Sequence, residues 1–205
     1  EAYAAGLWEC NDLVSLTQIM VRNQKLMSNL DSGFAKFLVP INKLIHYTKR
    51  NTILGSKKNI LAHYDLGNDF YELWLDKTMT YSCGFFENDS TNMYDASVQK
   101  LDMICKKLKL NKEDSVLEIG TGWGSFSIHA ASTYGCKVTT TTISDSQFEY
   151  ASNKIKKLKL DHLITIVKKD YRLLEGTYDK IASIEMIEAV GHKNVPVLFK
   201  KISSL

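Results

Sequence analysis

The chain has 205 residues, and its content of 44% hydrophobic and 24% charged residues is typical of a globular protein. Its formal net charge of +3 and pI near 8.5 are too mildly basic to indicate a nucleic-acid partner, and they are compatible with an anionic membrane surface. No stretch approaches the roughly 18 consecutive apolar residues that a membrane span requires, and the first residues lack the pattern of a secretory signal.

Residues 1 to about 58 are predicted to form a helical extension, because apolar residues recur there at three-to-four-residue spacing. Asn11 or Asp12 can cap the first helix, and Asp31, Ser32 and Gly33 separate it from a second. The segment contains eight Lys or Arg residues against four acidic ones. This excess favours contact with anionic headgroups, but a solvated helix face packed on a neighbour, or a homodimer contact, remains open.

From about residue 91 the pattern changes to helices alternating with short apolar strands. Strands are predicted at 115–119 and near 137–142, 163–168 and 179–184, with helices at about 92–110, 124–134 and 145–158, and another from about 195. This alternation indicates an α/β fold with a parallel sheet covered on both faces. Because a doubly wound sheet usually has more than four strands, we expect the C-terminal part of the fold to be missing from residues 59–205.

A glycine-rich loop directly follows the first predicted strand, in the pattern Glu118-x-Gly120-Thr121-Gly122-x-Gly124. Glycines at these positions let the backbone approach a bound nucleoside without a Cβ in the way. The spacing differs from the G-x-G-x-x-G of dinucleotide sites and is closer to the nucleoside loop of S-adenosylmethionine (SAM) enzymes. A purely structural tight turn is the alternative.

The ends of the next two strands supply further candidate cofactor contacts. No acidic residue stands at the end of the second strand to bind ribose hydroxyls, but Thr142 and Gln147 can supply neutral hydrogen bonds there. Asp170 follows the third strand and can accept from an adenine amino group, while Tyr171 can pack on the ring. An ordinary surface turn is an equally good interpretation of Asp170-Tyr171-Arg172.

Four segments in this order resemble the family of cyclopropane-fatty-acyl-phospholipid synthases and mycolic acid cyclopropane synthases. They are Tyr-Ser-Cys at 81–83, Glu-Ile-Gly-Thr-Gly-Trp-Gly at 118–124, Thr-Thr-Thr-Ile-Ser-Asp-Ser-Gln at 140–147 and Glu-Met-Ile-Glu-Ala-Val-Gly at 185–191. Even the opening residues are similar to the N-terminal extension of the phospholipid-acting members. The resemblance implies a Rossmann-like fold of the class I SAM-dependent methyltransferases.

The resemblance also implies a role for each matching residue. Tyr81 and Ser82 would contact the amino-acid end of SAM, residues 116–124 would form the loop beneath it, residues 142–147 would flank the ribose, and Tyr171 with Arg172 would border adenine. A bicarbonate ion, the family's base, would map onto Cys83 and Glu188. The other members of that site would fall beyond Leu205.

The implied activity is transfer of a methylene group from SAM to the cis double bond of phospholipid acyl chains, which forms a cyclopropane ring. Such an enzyme would be a cytoplasmic protein, peripheral on the membrane. Plain C- or N-methylation of another lipid or small molecule, or an inactive cofactor-binding fragment, is the alternative.

The sequence does not indicate a metal site or a disulfide framework. Glu188 and His192 are four residues apart, but no second histidine accompanies them. The four cysteines are far apart and show no paired spacing, which favours a reducing compartment.

Overall fold

The computed structural model describes residue 3, residues 5–24 and residues 67–205. The chain divides into two compact units, Glu1–Arg50 and Asn51–Leu205. None of the described helices combines the length and the apolar character needed to cross a bilayer. The domain boundary near residue 58 stays a prediction.

The described part of the first unit contains one helix, α1 (Leu13–Arg22). Asp12 caps it, as predicted, by accepting a hydrogen bond from the Ser15 backbone N–H at 2.9 Å. None of the α1 residues is buried, and apolar side chains such as Val14 are exposed. The predicted second helix of the extension lies outside the described residues.

The second unit alternates helices with strands, as expected for an α/β fold. Its elements are α2 (Gly67–Glu72), α3 (Met93–Leu108), β1 (Ser115–Ile119), α4 (Ser125–Tyr134), β2 (Lys137–Thr141), α5 (Asp145–Lys157), β3 (Ile164–Val167), β4 (Lys180–Ala182), α6 (Ile187–Val190) and α7 (Val195–Ile202). Short 3₁₀ helices span Tyr171–Leu173 and His192–Asn194.

The four described strands form one parallel sheet in the order β3-β2-β1-β4. Ile119 pairs with Thr141, so β1 and β2 end level with each other and their following loops leave the same edge. β2 and then β3 lie on one side of β1, and β4 lies on the other side of β1. Ligands of such sheets bind in the crevice where the strand order reverses, which here is between β1 and β4.

Apolar clusters cover both faces of the sheet. On one face Val116 and Val138 pack with Phe126 and other residues of α3, α4 and α5. On the other face Leu117 and Ile119 pack with residues that include Leu198 of α7. Because side chains alternate along a strand, Glu118 points to the same face as Val116, where it is buried at 3% exposure. The fold therefore places a carboxyl group inside the protein, directly beneath the glycine loop.

β1 begins and ends at the predicted residues, whereas the other three predicted strands are one to three residues longer than the observed ones. The largest difference is at the last strand, predicted near 179–184 and found at Lys180–Ala182. Glu185, just beyond it, has a φ of +47°, in the left-handed region that a strand cannot contain. The sequence also did not predict the short helix α2.

Candidate cofactor site

The glycine loop between β1 and α4 has left-handed backbone conformations at Gly120, Gly122 and Gly124, with φ values of +103°, +52° and +86°. A Cβ on Gly120 would lie 3.5 Å from the Met186 side chain, whereas one on Gly122 would meet nothing within 4 Å. The loop thus exposes bare backbone to open space at Gly122. Such a loop can accommodate the nucleoside that the sequence predicts there, and this role stays a prediction.

Glu118 anchors this loop to the neighbouring strand through a chain of buried hydrogen bonds. The Thr140 hydroxyl donates to Glu118 Oε2 at 2.6 Å, and the Thr140 and Thr121 hydroxyl oxygens are 2.7 Å apart. Because Thr140 has only one hydroxyl proton, Thr121 must donate to Thr140. Burial raises the pKa of Glu118 to about 8, although hydrogen bonds from Thr140 and Ser127 oppose the shift.

This raised pKa predicts that the ligand-free protein loses stability as the pH rises. The folded state keeps the Glu118 proton up to about pH 8, whereas the unfolded chain releases it near the ordinary value of 4.5. The stabilisation is therefore complete below the unfolded pKa and is lost as the pH approaches 8, at about 1.4 kcal/mol per pH unit. Urea unfolding of the wild type and of Glu118→Gln across this range should show the extra slope only in the wild type. Equal slopes would contradict the assignment.

The loop after β2 is ordered by a pair of buried side chains. The Thr142 hydroxyl donates to Gln147 Oε1 at 3.0 Å, and the Ser144 backbone N–H donates to the Thr142 hydroxyl at 3.1 Å. Ser144 also caps α5 by accepting from the Gln147 backbone N–H at 3.3 Å. Since the Gln147 carbonyl oxygen is satisfied within the chain, its NH₂ group is the part that can donate to a ligand.

The loop after β3 reaches the same edge of the sheet, because the Thr141 hydroxyl donates to the Lys169 carbonyl oxygen at 2.5 Å. Arg172 binds Asp170 with two hydrogen bonds, Nε to Oδ1 at 2.8 Å and Nη2 to Oδ2 at 2.6 Å. Burial alone would raise the pKa of Asp170, but the hydrogen bonds and charge of Arg172 lower it. Both Asp170 oxygens are thus engaged by Arg172, and a contact with adenine remains a prediction.

Tyr171 lies between these two residues and packs partly into the core. Its hydroxyl is buried and has no hydrogen-bond partner among the described residues. Burial raises the pKa of this phenol. A buried hydroxyl without a partner is consistent with a ligand contact, as predicted for the adenine border.

Aromatic side chains connect Tyr81 to the glycine loop. The Tyr71 ring centroid lies 4.8 Å from that of Trp123 in the loop and 5.5 Å from that of Tyr81. The Trp123 indole N–H donates to the Asn68 side-chain oxygen at 2.8 Å. The structure therefore brings residues 81 and 120–124 together, although they are distant in sequence. Trp123 lies in the loop of residues 116–124 that the resemblance implies, whereas Asn68 was not predicted as a site residue.

Ser82 and Cys83 contact a residue that the sequence analysis did not include in the site. The Ser82 hydroxyl donates to Glu185 Oε1 at 2.6 Å, and the Cys83 backbone N–H donates to the same oxygen at 3.1 Å. Lys100 Nζ donates to the Ser82 hydroxyl oxygen from the other side. Lys100 is 6% exposed, and burial lowers its pKa while the negative charge of Glu185 opposes that shift.

The two predicted catalytic residues lie in neighbouring segments. Cys83 is exposed next to Glu185, and Glu188 is exposed in the first turn of α6, three residues further along. No hydrogen bond joins Cys83 and Glu188 among the described residues, so the catalytic roles stay predictions. Across residues 5–24 and 67–205 no cluster of three or more His, Cys, Asp or Glu side chains could hold a metal ion.

Comparisons with known proteins show the family of the chain. A family model described as Mycolic acid cyclopropane synthetase matches residues 53–205. The chain is 38% identical over 145 residues to a "Probable fatty acid methyltransferase" of Pseudomonas putida, covering 70% of this chain and 37% of that protein. It is 37% identical over 202 residues to the "Cyclopropane-fatty-acyl-phospholipid synthase" of Escherichia coli K12, covering 97% of this chain and 50% of that protein.

Solved structures confirm the predicted α/β methyltransferase fold. The cyclopropane synthase MmaA2 from Mycobacterium tuberculosis superposes with a TM-score of 0.69 at 29% identity, covering 72% of this chain and 52% of that one. Coclaurine N-methyltransferase bound to N-methylheliamine and S-adenosylhomocysteine (SAH) superposes with a TM-score of 0.72 at 27% identity, covering 97% of this chain and 57% of that one. The chain spans no more than about half the length of the two curated relatives, and it belongs to the mycolic acid cyclopropane synthetase family.

Proposed function

We propose that the protein uses SAM to add a methylene group across the cis double bond of phospholipid acyl chains, forming a cyclopropane ring. The single observation that carries this proposal is the family match over residues 53–205. The Escherichia coli relative, named for this reaction, matches over 97% of the chain. The chain spans half of that relative. The proposed activity and its tests therefore refer to the full-length natural protein that contains these residues, called here the long form.

The glycine cradle fits the methyl donor. Gly122 leaves open space above the loop, so a nucleoside can approach the backbone there. Ser82 and Tyr81 would face the amino-acid end, Gln147 would donate to the ribose, and Tyr171 would border the adenine. When bound, SAM supplies an electrophilic methyl group.

Positioning is the main contribution that the chain can make to the transfer. A cis alkene is a weak nucleophile, so it must be held in line with the methyl group, and positioning of this kind supplies roughly 7–11 kcal/mol. The rings of Tyr71, Trp74 and Tyr81, whose centroids lie 5.4–5.8 Å apart, provide an apolar wall beside the loop. Such a wall would exclude water from the reacting carbon atoms.

Methyl transfer to an alkene leaves a positive carbon, which needs a nearby anion and a base. We propose that Glu188 and Cys83 border this centre, as the resemblance implies. The residues present do not fit a bicarbonate ion at Cys83, because the Cys83 N–H already donates to the Glu185 carboxylate. A second anion there would be repelled by that carboxylate.

Plain methylation is the second candidate function. It is favoured by the name of the Pseudomonas putida relative and by the similarity to an N-methyltransferase over 97% of the chain. The cofactor half of the site would serve both reactions. The two reactions differ in the acceptor of the methyl group and in the step that follows methyl transfer.

The lipid substrate implies contact with a membrane surface. We propose that the N-terminal segment, with eight basic residues against four acidic ones, attaches the protein peripherally to anionic headgroups on the cytoplasmic side. The exposed apolar side chains of α1 support such a contact. A homodimer through the same segment is the competing use of this surface.

Incubation of the long form with monounsaturated phospholipid vesicles and isotope-labelled SAM tests the proposed reaction. We expect fatty acids that gain one labelled methylene group and lose the alkene, as judged by mass spectrometry before and after oxidative cleavage of double bonds. Labelled chains that keep an alkene or carry a methyl branch would indicate plain methylation. The absence of labelled lipid, with label on a small amine instead, would overturn the lipid assignment.

A further inference from the structure

The carboxylate of Glu185 occupies the hydrogen-bond donors of the Ser82–Cys83 segment. A single oxygen, Oε1, accepts from both the Ser82 hydroxyl at 2.6 Å and the Cys83 backbone N–H at 3.1 Å. Both donors are more than 100 residues from Glu185 in sequence, so the contact is tertiary and depends on the fold. An external anion bound at this segment would need the same two donors.

Several observations indicate that Glu185 is held there as an anion. Burial would raise its pKa, but the bonds from Ser82 and Cys83 and the charge of Lys100 together lower it. Lys100 is itself buried and donates to the Ser82 hydroxyl oxygen, which places a positive charge behind the donors. An ionised carboxylate can accept a proton without an added ion, although the contacts that lower its pKa also make it a weaker base.

The backbone conformation of Glu185 determines which substitution is a clean test of its side chain. Its φ of +47° lies in the left-handed region, which residues with a Cβ adopt at a cost and glycine adopts freely. A glutamate persists at such a position only when surrounding contacts stabilise it. Substitution by glycine would therefore remove the carboxylate without adding backbone strain, which makes it a clean test.

We propose that Glu185 is the built-in anion and base of this site and takes the place of a bound bicarbonate. This inference rests on the proposed methylene transfer. After the methyl group has bonded to one alkene carbon, the other carbon is positive, and Glu185 accepts a proton from the new methyl group. The C–H electron pair closes the ring, and the cation and carboxylate become a neutral ring and a carboxylic acid, which then releases its proton to water.

The test compares the long form with its Glu185→Gly variant in buffer free of carbon dioxide and after addition of bicarbonate. Turnover of the wild type should not change with bicarbonate. The variant should lose at least about a hundredfold without bicarbonate, the scale of general-base catalysis, and recover at least tenfold with it. Glu175→Gln, an exposed glutamate on another loop, is the matched control and should behave like the wild type.

Binding of ¹³C-labelled bicarbonate, followed by NMR, gives a readout that does not depend on turnover. We expect binding to Glu185→Gly and none to the wild type. A wild type that binds bicarbonate and needs it for turnover, with Glu185→Gly equally active, would overturn the inference. If no form modifies lipid, the proposed reaction fails, and Glu185 as base fails with it. In that case bicarbonate binding to Glu185→Gly but not to the wild type would still show that the Glu185 carboxylate occupies the place of the ion.

Discussion

Replacing Gly120 with valine is expected to lower the affinity for SAM roughly tenfold to a hundredfold. The φ of +103° at Gly120 is a conformation that essentially only glycine adopts, and forcing another residue into it costs on the order of 1–3 kcal/mol. A Cβ at Gly120 would already be in van der Waals contact with Met186 at 3.5 Å, so the two additional methyl groups of valine would crowd that side chain. Calorimetric titration with SAH, an unreactive ligand, measures the effect.

Gly176→Val is the matched control for this prediction. Gly176 has a φ of +111° and lies on an exposed loop outside the proposed site, so valine strains the backbone there in the same way. We expect both variants to lower the unfolding temperature but only Gly120→Val to weaken SAH binding. Equal affinities in the two variants would show that the glycine loop does not hold the cofactor.

Glu188→Gln is expected to lower turnover by about 10²–10³-fold while the affinity for SAH stays nearly unchanged. Removing one preorganised electrostatic contact to a transition state has an effect of this size. The exposed carboxylate in the first turn of α6 forms no hydrogen bond or ion pair with the glycine loop among the described residues, so loss of its charge should spare cofactor binding. Single-turnover assays with phospholipid vesicles, together with calorimetry, separate the two quantities.

Glu175→Gln again serves as the control for a surface charge change and should leave both quantities unaltered. A parallel loss of turnover and affinity in Glu188→Gln would mean that Glu188 supports the cofactor pocket. Turnover equal to that of the wild type would remove Glu188 from the catalytic site altogether.

Local patterns predicted the fold class and the glycine loop. The run Ser115–Ile119 is a short apolar strand, and the glycines between it and the next helix adopt the positive φ values that such a loop requires. The helix that follows ends near Gly135, a residue of positive φ that typically terminates helices. Such signals act over a few residues and can therefore be recognised in a single sequence.

The Glu185 contacts could not be predicted because they are tertiary. Nothing local distinguishes Lys100 from the other lysines of a charged helix, yet the fold buries it beside Ser82. Likewise, the left-handed backbone at Glu185 follows no glycine or asparagine signal. Its position in the Glu-Met-Ile-Glu segment, close to a strand end, was the only available indication.

A crystal structure of the long form with SAH tests the central claim most directly. The nucleoside should lie over Gly120–Gly124, with its ribose toward Gln147 and its amino-acid end beside Tyr81 and Ser82. A ligand bound at another surface, with the glycine loop and the Ser82–Glu185 contact unchanged, would contradict the proposed site and the chemistry derived from it.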